Sequence, residues 1–300
     1  MQHTSTPSER FTPRRGLRAG CALALAAGAL LAGEAAAMEV KAFAIGDFVP
    51  SGSGGCGGGD RSSWPGMVDA WYDKMRDKGH TKDGQYNNGS QTIQRFCDPD
   101  WKSGCRDHDY LDEADAAMIA THGTDGGDHW GGTMRAPWGG HCRLDAGGSS
   151  DDMWVGDVDL EFIHLSSCFS ADDDNLPGIR WAMTDPVDGG YAHQWDGFHG
   201  IMWISSGRNG DYRRFAKQGH STSIAEAWVV NLYDNRVCKD GACHEQCPVA
   251  YSISTTETSA LNRLRYERYN HVYSDPTGNN WYAYMYIEGC DPKSEGPFNP

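Results

Sequence analysis

The sequence predicts an α/β protein, a three-layer α/β/α sandwich around a mainly parallel central sheet. Three observations lead there. Short, largely apolar runs such as residues 116–121 (AAMIAT) and the run within 159–167 (DLEFIHLSS) read as buried strands. Segments with helical apolar spacing lie between such runs, and that alternation favours a parallel sheet covered by helices. The chain of 300 residues, less an N-terminal leader, suits one domain with decorations over 38–300.

The elements follow in order. Residues 1–37 read as a signal peptide. Arg10, Arg14, Arg15 and Arg18 precede the apolar run Cys21 to Leu31, and Ala35-Ala36-Ala37 offers a small-residue cleavage site before Met38. Arg14-Arg15 followed by Gly16-Leu17 fits the twin-arginine route. The run is short and Ala-rich for a membrane anchor, and no other stretch is apolar enough to span. The expected location is therefore outside a bacterial cytoplasm, periplasmic or extracellular, with no membrane span after cleavage.

Val40 to Phe48 alternates apolar residues and reads as the first strand. Ser51 to Asp60 (SGSGGCGGGD) is a glycine loop without the Lys-Ser/Thr ending of a phosphate loop, so it reads as a flexible connector. Trp64 to Lys78 spaces Met67, Ala70, Trp71 and Met75 as a helix does, with Gly79 as its stop. Residues 80–110 are polar and read as irregular. The strand at 116–121 leads into a long loop at 123–157, and the strand at 159–167 leads into another at 169–198. Gly200 to Ser205 (GIMWIS) reads as a third buried strand, Ser221 to Tyr233 as a helix capped by Ser221 or Ser223, and Val249 to Ile253 as a short strand. Glu257 to Tyr269 is an amphipathic helix, and Trp281 to Ile287 a last, aromatic strand.

Charge and cysteines narrow the function. The formal net charge is −15, and it grows more negative once the leader's four Arg and two Glu leave. Such a field argues against nucleic-acid binding. Removing Cys21 from ten cysteines leaves an odd nine: Cys56, Cys97, Cys105, Cys142, Cys168, Cys238, Cys243, Cys247 and Cys290. Disulfides are expected in an oxidising compartment. Up to four bridges are expected, with Cys168, which ends an apolar run, as the unpaired thiol. Short spacing makes Cys97–Cys105 and a pair drawn from Cys238, Cys243 and Cys247 the candidate local bridges. In an exported chain, disulfides are a better reading of the Cys238/Cys243/His244/Cys247 cluster than structural zinc.

The chemistry sits at the ends of two strands. The run at 116–121 delivers His122-Gly123, and the run at 159–167 delivers Cys168. In a parallel sheet both would reach one edge, where open α/β folds build their sites. A thiolate attacks carbonyls, and an imidazole can take the thiol proton and pass it to a leaving amine. The backbone N–H groups of Gly123 and Cys168 are the candidate oxyanion donors.

These residues carry a resemblance. Met118–Gly123 (MIATHG) followed by Phe162–Cys168 (FIHLSSC) resembles the caspase-like clan of cysteine peptidases, and residues 198–234 resemble that clan's next strand and helix. The mature chain as a whole resembles a family of secreted bacterial proteins, DUF6345. Recurring features there are an Asp-rich lead into a His-Gly strand, a Ser-Cys strand, and a segment like Gly197-Phe198-His199-Gly200. The resemblance implies Cys168 as nucleophile and His122 as its partner. The chain departs from the clan at Ser167, where Ala is common, and at Phe169-Ser170-Ala171-Asp172, where a glycine-rich stretch is common.

The expected activity is that of a cysteine-dependent amide hydrolase, a peptidase acting on a peptide or protein substrate through an acyl-enzyme, with no cofactor. Asp125, Trp130 and Asp172 are candidate substrate contacts. Two alternatives remain open. One is a non-catalytic binding protein on the same scaffold. The other is a zinc hydrolase using His122, His129 and His141 with Asp125 or Asp128, although no tight zinc motif is present.

Overall fold

In the computed structural model, residues 37–290 are described, apart from Ser90, 148–152, Pro186, Asp188, Asp240 and Gly241, and with only the backbone of 238, 239, 242 and 243. The expected signal peptide at 1–37 therefore lies almost wholly outside the described residues.

In chain order the elements are β1 (Glu39–Ala44), α1 (Ser63–Asp77), β2 (Thr81–Asn87), β3 (Ala116–Ala120), β4 (Gly123–Asp125), β5 (Trp130–Trp138), β6 (His141–Ala146) and β7 (Phe162–Ser166). There follow α2 (Leu176–Ala182), β8 (Gln194–His199), α3 (Asn209–Gln218), α4 (Ile224–Leu232), β9 (Asp234–Lys239), β10 (Ala242–Ser254), α5 (Glu257–Tyr266) and β11 (Trp281–Tyr286). The result is a mixed α/β fold whose central sheet runs β11-β10-β8-β7-β3-β1-β2, with β9 pairing β10. The five strands β8, β7, β3, β1 and β2 are parallel, and β10 joins β8 antiparallel.

β3 and β7 lie at the centre and are buried at every position, as two-sided apolar runs require. One face of the sheet carries helices. His164 on β7 meets Trp71 of α1, Phe215 of α3 and Trp228 of α4, with ring centroids 5.0–5.8 Å apart. The other face carries the antiparallel sheet β4-β5-β6, whose Trp130 meets Trp195 of β8 at 6.3 Å. α2 packs beside β6. Fully burying such aromatic and aliphatic side chains contributes about 1.5–3 kcal/mol each.

Local signals explain the helices that the sequence reading located. α1 buries Trp64, Met67, Val68, Trp71 and Met75 on one side, and the chain then turns through Gly79 at φ 99°. The Ser223 side chain caps α4 by accepting from the Glu226 N–H at 3.1 Å, and Thr256 and Ser259 form a reciprocal capping box on α5.

Four expectations need correcting. Residues 80–110 are not wholly irregular, because β2 runs beside β1. Its sequence, TKDGQYN, alternates exposed and half-buried positions at the sheet edge, so no apolar pattern announces it. The third buried strand is not Gly200 to Ser205 but β8, QWDGFH. Its polar residues survive burial by pairing: Asp196 accepts from His164 Nδ1 at 2.8 Å and from Gln194 Nε2 at 2.8 Å. That strand and α2 also occupy the expected loop at 169–198. The expected loop at 123–157 contains β4, β5 and β6, where glycines flanking Trp130 mask strand propensity.

Among the described residues the disulfides are Cys56–Cys142, Cys97–Cys105 and Cys247–Cys290, and Cys168 is an unpaired thiol. The local pair Cys97–Cys105 agrees with its spacing. Cys247 instead reaches across to the distant Cys290. Cys238 and Cys243 are register partners in the β9–β10 hairpin, but their side chains lie outside the described residues.

Candidate active site

β3 and β7 pair in parallel, and their last registered pair is Ala120 with Ser166. His122 and Cys168 are each two residues further on. They therefore share the carboxyl edge of adjacent strands, and period-two alternation puts both on the face that carries Met118 and His164. Gly123 lies hard against the Cys168 backbone, where any Cβ would collide with the Cys168 carbonyl oxygen and with Ser167 Oγ.

The imidazole of His122 is half-buried between Phe48 and Trp64, at ring distances of 4.9 and 5.0 Å. Its Nε2 lies 2.8 Å from the Gly59 carbonyl oxygen. A carbonyl only accepts, so Nε2 carries the proton and the lone pair resides on Nδ1. Gly59 belongs to the glycine loop, and this corrects the reading of that loop as a flexible connector. Cys56 ties it to β6, Gly57 N–H donates to the Val49 carbonyl at 3.0 Å, and Gly58 at φ 99° leaves no room for a Cβ beside the His122 ring. The loop orients the imidazole.

The Cys168 sulfur is partly buried. Met202 N–H donates to it at 3.4 Å, and the thiol faces the Met202 carbonyl at 3.8 Å. Burial pushes the thiol pKa up. The Met202 amide, the Arg61 charge and the Cys168 amide itself pull it back without overcoming burial. Burial pushes His122 down, against the Gly59 carbonyl, and the Arg61 charge lowers it further. Both shifts favour the neutral forms, a thiol and an imidazole at one sheet edge rather than an ion pair.

Phe169 follows the sulfur-bearing residue with φ 57°, and only Asn88 shares a positive φ among the described non-glycine residues. An aromatic residue in the left-handed region is strained by about 1 kcal/mol or more, and such strain clusters at functional sites. Phe169 N–H donates to the Gly200 carbonyl at 2.7 Å, which fixes the 200–202 segment over the sulfur. For oxyanion binding, Thr133 N–H donates to the His122 carbonyl at 2.9 Å and flanks the Gly123–Gly132 pair. In an antiparallel ladder this turns the Gly123 N–H away from β5.

The candidate substrate contacts fare differently. Trp130 is fully buried, and its indole N–H donates to Ser167 Oγ at 3.3 Å, so it packs beneath the site and offers a ligand no surface. Asp172 accepts from Gly200 N–H at 2.6 Å and lies 2.5 Å from His199 Nδ1, so it organises the 199–202 segment. Asp125 is exposed and accepts from Gly127 N–H at 2.8 Å. The imidazoles of the zinc reading do not converge. His129 pairs with Asp128 at 2.5 Å, and among the described residues no group with metal-ligand spacing contains His122, His129 or His141.

The sequence reading missed the Gly59 carbonyl, the Met202 amide, Arg61 and the strained Phe169. A cysteine inside a glycine run was the one available signal, since it marks a tethered loop. His164 and Asp196 also form a histidine–carboxylate pair, but both are fully buried, and His164 Nε2 accepts from the Tyr269 hydroxyl at 2.8 Å, so they hold the core together.

A family model described as a domain of unknown function (DUF6345) matches residues 63–288 of the chain. No curated protein and no solved structure matches it.

Proposed function

The chain belongs to the DUF6345 family, and within it we propose an exported cysteine-dependent amide hydrolase of caspase-like three-layer architecture, acting on peptide bonds. One observation carries the reading: the unpaired thiol of Cys168 and the imidazole of His122 leave adjacent parallel strands at the same edge and on the same face.

In this reaction the Cys168 thiol passes its proton to His122 Nδ1, and the sulfur attacks the substrate carbonyl carbon. The Gly59 carbonyl keeps the proton on Nε2 and stabilises the imidazolium that forms. The N–H groups of Gly123 and Cys168 receive the oxyanion, and the Met202 amide is a third donor beside the sulfur. The tetrahedral intermediate collapses, and the departing amine takes the proton from Nδ1. Water, deprotonated by the same nitrogen, then releases the acyl group as a carboxylic acid and restores the thiol. Because the resting pair is neutral, activation depends on a substrate that displaces solvent and completes the proton transfer. The disulfides fit the oxidising compartment an exported enzyme meets.

A second reading has an observation of its own. The sulfur is partly buried with a raised pKa, which suits a non-catalytic thiol on a peptide-binding scaffold. Labelling separates the two. A peptidyl acyloxymethyl ketone should modify wild-type protein at Cys168, and a fluorogenic peptide library should be cleaved. Cys168→Ala should lose both, and His122→Ala should slow both by about 10²–10⁴-fold, with folding kept in each. Labelling that persists in Cys168→Ala, or a wild-type thiol inert to the whole library, sinks the hydrolase.

A further inference from the structure

The opposite edge of the same sheet gathers carboxylates from three separated segments. Asp98 follows Cys97, Asp107 follows the Cys97–Cys105 loop, Asp157 precedes β7, and Asp185 follows α2. Asp98, Asp107 and Asp185 are at most 1% exposed, and the Asp157 side chain is 2% exposed. Ligand atoms of Asp98, Asp157 and Asp185 lie within 4.8 Å of one another, and so do those of Asp98, Asp107 and His108.

The carboxylates are held in a shared way. Asp98 Oδ1 accepts from the Asp100 and Trp101 amides at 2.6 and 3.2 Å, which leaves Oδ2 for the cluster. Asp107 Oδ1 accepts from His108 N–H at 3.0 Å, and Asp107 Oδ2 is buried with no partner. Asp157 Oδ2 faces His108 Nε2 at 2.8 Å, and the Asp157 carboxyl also shares a hydrogen bond with the Asp112 carboxyl. Asp185 Oδ1 accepts from Val187 N–H at 2.5 Å. Asp112, also fully buried, takes the amides of Gly156 and Leu160 at 2.9–3.0 Å and so fixes the turn that carries Asp157.

Among the described residues the His108 imidazole faces Asp98 and Asp157 and supplies at most a single positive charge. The unpartnered Asp107 Oδ2 carries a large desolvation cost in such a place unless a cation meets it. Calcium takes 6–8 oxygen ligands at 2.3–2.6 Å, so oxygens on opposite sides of the ion stand about 4.6–5.2 Å apart. The observed spacing suits an ion of that size, and a donor set of carboxylate oxygens favours a hard cation over zinc.

We propose that Asp98, Asp107, Asp157 and Asp185 form a binding site for one calcium ion at the amino edge of the central sheet, joining the disulfide loop to the segments that enter β7 and β8. The ion stabilises the fold from the edge opposite His122 and Cys168, a strand's length from the thiol.

The test uses mature protein stripped with EDTA, dialysed metal-free, and titrated with calcium chloride by calorimetry and thermal unfolding. One calcium per chain is expected, with Tm rising by about 5–10 °C at calcium roughly a hundredfold above Kd. Magnesium at equal concentration should give a smaller shift. Asp107→Asn and Asp157→Asn should each weaken calcium binding at least about tenfold. Their metal-free forms should melt no lower than metal-free wild type, since an amide relieves the crowding. Asp173→Asn, at the other edge, should bind as wild type does. Absence of calcium binding by wild type, a response that survives in both cluster variants, or zinc or manganese displacing calcium from the site would overturn the proposal. The wild-type stoichiometry decides the matter even where a variant fails to fold.

Discussion

β3 and β7 end in two different environments although they are the same pair of strands. At the carboxyl edge stand a thiol and an imidazole, both neutral, one from each strand. At the amino edge stand Asp112 and Asp157, one ahead of each strand, within a buried acidic cluster. The carboxyl edge keeps its reactive atoms partly exposed and holds them with backbone groups: the Gly59 carbonyl, the Met202 amide and the turn at Phe169. The amino edge buries its charges almost completely and fixes them with loop amides. Backbone contacts orient a side chain while leaving its chemistry available. Buried carboxylates fastened to loops instead tie segments together, and they depend on whatever neutralises them. The proposed reaction belongs to the first edge and the proposed ion to the second.

Perturbing each edge tests that division, and the largest effect belongs to the amino edge. Asp112→Ala strips the acceptor from the Gly156 and Leu160 amides and leaves a polar hole, so it should destabilise by about 3 kcal/mol or more in urea unfolding. Cys168→Ala, at the carboxyl edge, should leave the urea midpoint nearly unchanged. Equal costs at the two edges would break the comparison.

A smaller effect concerns Phe169. At an ordinary position Ala is more stable than Gly, but φ 57° reverses that order. Phe169→Gly should therefore be more stable than Phe169→Ala by about 1 kcal/mol, with both losing the same ring. If chemical denaturation gives the ordinary order, the turn is relaxed in solution and the strain at the thiol is not real.

The smallest effect sharpens the electrostatics of the carboxyl edge. Arg61 lowers the pKa of both Cys168 and His122. Removing that charge in Arg61→Ala should raise both midpoints. Iodoacetamide alkylation of Cys168 against pH should then begin at higher pH than in wild type, and the His122 resonance followed by NMR should titrate at higher pH. Alkylation that moves to lower pH would remove Arg61 from the site.

Much of the frame was legible in the residues. The runs that became β3 and β7 were readable because apolar residues dominate strands buried on both faces, although His164 on β7 needs Asp196 and Tyr269. Their order also placed His122 and Cys168 at one edge, and the odd cysteine count set Cys168 apart. The strands that escaped notice are those whose stability comes from neighbours. β2 is polar because its outer edge meets solvent. β8 is polar because His164 and Gln194 satisfy Asp196. β5 is glycine-rich because Trp130 fills the space beside it.

The sequence alone determined an α/β frame, a histidine and a cysteine at neighbouring strand ends, and an unpaired thiol. It could do so because periodicity and spacing are local, and a strand's apolar pattern reports its own burial. Tertiary structure alone decided that a glycine loop orients His122, that Trp130 sits under the site, and that Asp98, Asp107, Asp157 and Asp185 meet. Each aspartate stands in a polar loop that looks solvated in the sequence. Only the packing of three distant segments removes water from all of them together, and desolvation belongs to the assembled fold rather than to any stretch of chain.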